Sequence, residues 1–143
     1  MNVAIWAALA ASTAPPAETT LAALRVSTEN GAEMDVRVQR DDASDQSEVA
    51  VDCVKDCRRP VHFRQRVDGS PMGLFQRCDC DNLIYSVWSG GTAYQVRVWS
   101  VDDSGVQFVF ERVTRGWPDF HTDRSGHQVI RTWERPNDAK GRD

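Results

Sequence analysis

Lysine, helical patterning and long apolar runs are all scarce in this chain. Of 17 basic residues only Lys55 and Lys140 are lysine, and 21 acidic residues leave a formal net charge of −4. That balance excludes general nucleic-acid binding, which wants a basic surface. Beyond the first 17 residues no stretch of about 11 or more carries apolar side chains at helical spacing. A helical bundle or an alternating helix–strand fold is therefore excluded. No apolar run approaches the roughly 20 residues of a membrane-spanning helix. The strings that announce common enzymes are missing as well: a Gly-x-Ser-x-Gly elbow, a glycine-rich phosphate loop, a His-Glu-x-x-His pair. What remains is ordinary for a soluble globular domain, with 41% hydrophobic and 27% charged residues in 143. That length predicts one domain with a modest core.

The first residues, MNVAIWAALAASTAPPA, carry no charged side chain. Val3 to Ala11 form a short apolar core, and Ala8-Leu9-Ala10 offers small residues at the spacing a signal peptidase reads. Residues 1–17 are accordingly read as a signal peptide and lead, although no Lys or Arg follows Met1. The competing reading is the first core segment of a cytosolic protein. Export predicts a periplasmic or secreted location. Ser12 to Thr20 reads as a lead in which Pro15 and Pro16 forbid regular structure.

From there to residue 136 period-two patterns dominate, and 137–143 is expected to be disordered. Asn30-Gly31 is a strong turn signal between LRVS and MDVRVQR. In the second of these Met34, Val36 and Val38 share one face. Residues 40–48 read as an acidic loop, and VDGSPMG as a turn. Val61, Phe63, Gln65 and Val67 alternate with His62, Arg64 and Arg66. Val106, Phe108 and Phe110 are expected on one face, and a last strand pair around Asp123 to Gly126. Short strands every 8 to 12 residues predict an all-β domain, an antiparallel sandwich, roll or partial barrel of about eight to ten strands. Trp88, Trp99, Trp117 and Trp133 are expected in its core.

Four cysteines, Cys53, Cys57, Cys78 and Cys80, decide the compartment. Zinc would need pairs spaced to aim two thiolates at one ion, usually C-x2-C or C-x4-C, and these are C-x3-C and C-x-C. A redox centre would need a C-x-x-C at a helix start. Disulfides fit an even count in an exported chain best. The nested pairing of Cys53 with Cys80 and Cys57 with Cys78 suits antiparallel neighbours with a bulge. A local Cys53–Cys57 bridge is the simpler competitor, and Cys78–Cys80 would strain a bond that wants its Cα atoms about 5.5 Å apart.

His121 with Asp119 and Asp123 reads as a solvated turn, with metal or base chemistry as the rival. Arg58, Arg59, His62, Arg64, Arg66 and Arg77 form the candidate binding set. Arginine forks suit carboxylates and phosphates, so the partner class is an anionic polysaccharide, a lipid head group or an acidic protein. The rival reading is a solvated sheet face balanced by nearby acids.

The segment RGWPDFHTDRSGHQVIRTWER resembles one found in small exported bacterial proteins of unassigned role. Over residues 115–135 it is also similar, loosely, to integrin-like propeller repeats, through Gly116, Pro118, Asp119 and Phe120 and then Val129 to Trp133. It lacks the calcium loop of alternating aspartates. The resemblance implies a β-meander in an exported setting and transfers no catalytic residue.

The expectation is a monomeric exported binding or envelope-accessory module without catalysis, metal or cofactor. The alternatives are a small zinc or thiol-redox enzyme using the cysteines, and a secreted inhibitor presenting the disulfide-pinned loop 54–60.

Overall fold

The computed structural model describes residues 18–78 and 81–135, which form ten β-strands and no helix. The predicted signal peptide and lead as far as residue 17, the 137–143 tail and Cys80 lie outside the described residues. Strands β1 (Glu18–Ser27), β2 (Glu33–Asp41), β3 (Gln46–Lys55) and β4 (His62–Val67) make one antiparallel meander. A second consists of β5 (Ser70–Phe75), β6 (Leu83–Ser89), β7 (Tyr94–Asp102) and β8 (Gly105–Thr114). A two-stranded ribbon, β9 (Asp119–Thr122) with β10 (Gln128–Arg131), completes the fold. The predicted all-β class is thus observed, as packed sheets and not a closed barrel.

The main core lies between the meanders. Val36, Val38, Val49 and Val51 of the first face Ile84, Trp88 and Trp99 of the second, each 1% exposed. Burying side chains of this size contributes about 1.5–3 kcal/mol apiece. Both buried indoles keep their N–H groups satisfied, as burial requires. Trp88 Nε1 donates to Ser86 Oγ at 2.8 Å, and Trp99 Nε1 donates to Gln65 Oε1 at 3.2 Å. That bond explains a glutamine on the inward face of β4.

The second sheet also buries its other face. Tyr85, Val96 and Val98 lie beneath Phe120 and Ile130, which are paired across the ribbon. Phe120 meets Phe75 and Tyr85 edge-on, at 4.9 and 5.8 Å between centroids. Three layers result.

Several local expectations are corrected. β1 begins at Glu18, inside the predicted lead, because Glu18 to Thr20 find partners in Asp41 to Gln39. The same extension shortens the acidic loop to the residues between Asp41 and Gln46. The turn read across VDGSPMG is only Asp68-Gly69, and Ser70 onward is strand. Pro71 is tolerated there because β5 is a sheet edge, with a register shift between Pro71 and Gly73. Gly69 has φ +101°, and a Cβ there would sit 2.6 Å from the Ser89 carbonyl oxygen. Phe108 and Phe110 do not share a face. A bulge pairs Phe108 with Trp99 but Phe110 with Val98, so one extra residue turns the two rings to opposite sides. Of the four tryptophans expected in the core, Trp88 and Trp99 are buried, Trp133 is half-buried and Trp117 is 48% exposed. Trp117 follows Gly116 beyond the end of β8, in the connection to β9.

Candidate functional site

Strand register decides what the predicted basic face is. Asp35, Asp52 and His62 stand side by side across β2, β3 and β4, and Arg37, Ala50 and Arg64 form the next row on the same outward face. Asp52 is the hub. Arg64 forks onto it, with Nη1 donating to Oδ1 at 3.1 Å and Nη2 to Oδ2 at 2.9 Å. Arg37 Nη2 donates to Oδ2 at 2.7 Å, and His62 Nδ1 lies 2.8 Å from Oδ1. Burial pushes the Asp52 carboxyl up, but the hydrogen bonds from Arg64, Arg37 and His62 outweigh it and hold the group at about 2, against 3.8 ordinarily. Arg37 also pairs with Asp35. Burial pulls its guanidinium down, and the bonds to Asp52 and Asp35 raise it further than that. Ala50, between the two arginines, is fully buried although it faces outward, as expected where aliphatic stems cover a small side chain. Arg66 is exposed in the following row, beside Glu48.

The other predicted cations sit elsewhere. Arg58 Nε lies 3.0 Å from Asp103 Oδ2, and Asn30 Nδ2 donates to the same oxygen at 3.4 Å. One nearly buried carboxylate therefore ties together the β1–β2, β3–β4 and β7–β8 connections at one end of the molecule. Arg59 is exposed beside Arg58. Arg77 belongs to the ribbon side, with its guanidinium 5.9 Å from the Tyr85 ring centroid and donating to Thr122 and Val129. The set is split over three places.

Cys53 and Cys57 form a disulfide with Cα atoms 6.2 Å apart, so the nested pairing expected as one option is not formed. The local competitor is. The reason is the left-handed turn at Asp56, φ 54°, which brings Cys57 back to Cys53. Cys78 is disulfide-bonded too, while Cys80 lies outside the described residues. In this oxidised state Cys53 and Cys57 are not thiolates, the form that ligates zinc. Among the described residues no group of three or more His, Cys, Asp or Glu is placed to hold a metal ion. His121 Nδ1 is 3.6 Å from Asp119 Oδ2, whereas Asp123 accepts from Ser125 N and His127 N in its own turn. The predicted trio is therefore divided.

A site that the sequence did not reveal lies at the far end of the second sheet. A cleft of about 230 Å³ opens between the Asp68-Gly69 corner, the β6–β7 hairpin and the ends of β7 and β8, with Trp88, Tyr94, Gln95 and Val113 in its wall. Gln95 Nε2 donates to Glu111 Oε1 at 2.6 Å, and Glu111 Oε2 is 3.4 Å from Arg97 Nε. The latter contact is an ion pair and not a hydrogen bond, since Arg97 Nε is buried without a hydrogen-bond acceptor. Trp117 stands edge-on to Tyr94, 5.4 Å between centroids at 78°. Arg115 Nη1 donates to Thr92 Oγ1 at 3.0 Å, fastening the end of β8 to the hairpin. Trp117 is expected in the core from the sequence; the signal that could have placed it outside is its setting between Gly116 and Pro118, two residues that break regular structure. Compared with known proteins, the chain matches no family model, no curated protein and no solved structure.

Proposed function

We propose that the protein is a non-catalytic, monomeric binding module acting outside the cytosol, in the periplasm or the medium. The observation that carries this reading is the Cys53–Cys57 disulfide, since such bonds persist where thiols are not kept reduced. The charge arrangement supports it. The most strongly held carboxylate, Asp52, titrates at about 2, far from the range useful to a general base near neutral pH. Arg59 and Arg66 are exposed and form no salt bridge among the described residues, Arg66 acting on Asp41 only at longer range, so they are the proposed contacts for an anionic polysaccharide, lipid head group or acidic protein. The test combines fractionation of the producing cell with intact mass, under denaturing conditions, before and after reduction and alkylation. Export and oxidised cysteines are expected. A reduced protein confined to the cytosol would end the proposal. Retention on anionic vesicles and on heparin should fall in an Arg59→Ala/Arg66→Ala variant.

A secreted inhibitor is the second reading. It is favoured by the loop 54–60, pinned by the disulfide on one side and by Arg58 to Asp103 on the other. Such pre-ordering lowers the entropy cost of binding. A stoichiometric complex with a hydrolase recovered from the medium, lost when Arg58 and Arg59 are replaced by Ala, is the expected result.

A further inference from the structure

We infer that the free edge of β8 docks an extended segment of a partner protein, which adds a strand antiparallel to β8 and carries an acidic side chain two residues before a large apolar one. The inference uses none of the arginine contacts proposed above. Of the strands at the edges of the two meanders, three are poor templates for a new strand. β5 contains Pro71, which has no N–H to donate, and its register shifts beside that residue. β1 shifts register between Thr20 and Ala22. β4 has only six residues and carries Arg64 and Arg66, and short, charged edges resist pairing. β8 runs ten residues, Gly105–Thr114, with β7 as its neighbour in the sheet. Its bulge at Val109 interrupts the ladder, but Phe110 to Thr114 pairs with Val98 to Tyr94 without a break. Along such an edge alternate residues turn N–H and C=O away from the sheet. A row of main-chain donors and acceptors is matched in register by another extended backbone, which fixes the class of occupant. The edge is bounded at Arg115, whose N–H donates to the Trp133 carbonyl at 2.8 Å.

The side chains of β8 fix the rest. Phe108, Val109 and Val113 are each more than half exposed, a concentration of apolar surface on one edge strand. β8 also borders an apolar groove of about 280 Å³. Val109 and Phe110 line it together with Leu83, Tyr85 and Val98 of the neighbouring strands and Gln128 and Ile130 of the ribbon. At less than the roughly 300–1,000 Å³ of drug-sized sites, it suits one side chain and not a whole ligand. Cross-strand neighbours share a sheet face, so the residue that an added strand places opposite Phe110 lies on the groove side. An apolar side chain there is buried by the groove. Arg112 is the next β8 residue on that face, paired across the sheet with Val96 as Phe110 is with Val98. It is exposed and forms no salt bridge among the described residues. An antiparallel partner presents to it the residue two positions before the apolar one, and a carboxylate is the group that a guanidinium takes. On the opposite face Glu111 is already engaged by Gln95 and Arg97.

The test selects a display library of random decapeptides on the full chain. Enriched sequences, made as synthetic peptides, are measured by calorimetry and hydrogen exchange. They should share Asp or Glu two positions before a large apolar residue, and binding should raise protection of the β8 amides. Methylating alternate backbone nitrogens of the peptide should abolish binding. Val109→Asn and Arg112→Glu should each weaken it about tenfold. Arg112→Glu should also reverse the preference, so that a peptide with Lys in place of the acid binds more tightly than its parent. Both positions are exposed, so both variants should unfold at the wild-type temperature. No enrichment, equal binding of the methylated peptide, indifference to both substitutions or protection gained away from β8 overturns the inference. A self-associating protein whose dimer is broken by the same substitutions assigns the edge to a second copy and also overturns it. An Arg59→Ala/Arg66→Ala variant should keep peptide binding while losing retention on heparin. Loss of the peptide alone removes this docking edge and leaves the arginine contacts standing.

Discussion

The two meanders share a topology and a common inner core, but their outer faces differ. Outside the first sheet, Asp35, Arg37, Asp52, His62 and Arg64 form a lattice of ion pairs facing water. Outside the second, Tyr85, Val96 and Val98 lie under a third layer supplied by β9 and β10. A sheet face requires cover only where its outward side chains are apolar. β2 alternates Met34, Asp35, Val36, Arg37 and Val38, so its outer face is content with solvent. β6 is LIYSVWS, apolar on both faces apart from Ser86 and Ser89, and that strand makes the ribbon necessary.

The largest effect that would sharpen this contrast lies where both sheets contribute. Trp88→Ala or Trp99→Ala should each cost about 3–5 kcal/mol, read by denaturant unfolding. Next comes the ribbon. Phe120→Ala removes a half-buried ring from the Phe75–Tyr85 cluster and should cost about 2 kcal/mol, below the range for fully buried aromatics. Hydrogen exchange should then show lost protection in β9 and β10 while β2 and β3 stay protected. Uniform loss over both sheets would mean that the ribbon is part of one cooperative core and not a separate cover.

On the polar face the effects should be smaller. The Asp52 carboxyl is depressed in the folded protein, so its contribution is complete above the unfolded value near 4 and disappears as pH falls through about 2. With the side chain a quarter exposed, that contribution is about 1–2 kcal/mol after screening. Asp52→Asn should flatten the fall in stability between about pH 4 and pH 2; an unchanged acid slope would show that other carboxylates govern it. Smallest of all is Arg25→Ala, which removes pairs to Glu33 and Asp35 from a side chain 49% exposed and should shift stability by less than about 0.5 kcal/mol. Should Arg25→Ala equal Phe120→Ala, the proposed difference between the two faces collapses.

Much of the fold was legible. Alternation in MDVRVQR and VHFRQRV placed Val36 and Val38 inward and His62, Arg64 and Arg66 outward, because a strand's side chains have a period of two. Asn30-Gly31 marked its hairpin, with Gly31 at φ +81°. The Phe108–Phe110 face failed because a bulge has no reliable sign in the residues that form it. Candidate sites were harder. Asp52 was readable as an outward residue beside Val51, yet its role as hub depended on which strand lay beside β3 and in what register. The Gln95–Glu111 pair and the Trp117–Tyr94 corner join residues from different strands and a loop, so no local pattern contained them.

The sequence by itself determined the class of the fold, the inward and outward sides of most strands and the availability of sulfur for cross-linking. These follow from backbone period, turn chemistry and composition, all of which act between near neighbours. Only the tertiary structure decided that Arg64 and Arg37 spend their forks on Asp52, that Cys53 joins Cys57, and that Trp117 stays in the open while Trp88 and Trp99 do not. The first two outcomes depend on which side chains the chain's path brings within bonding distance. The last depends on position: Trp88 and Trp99 face the core between the two meanders, whereas Trp117 sits in the connection between β8 and β9.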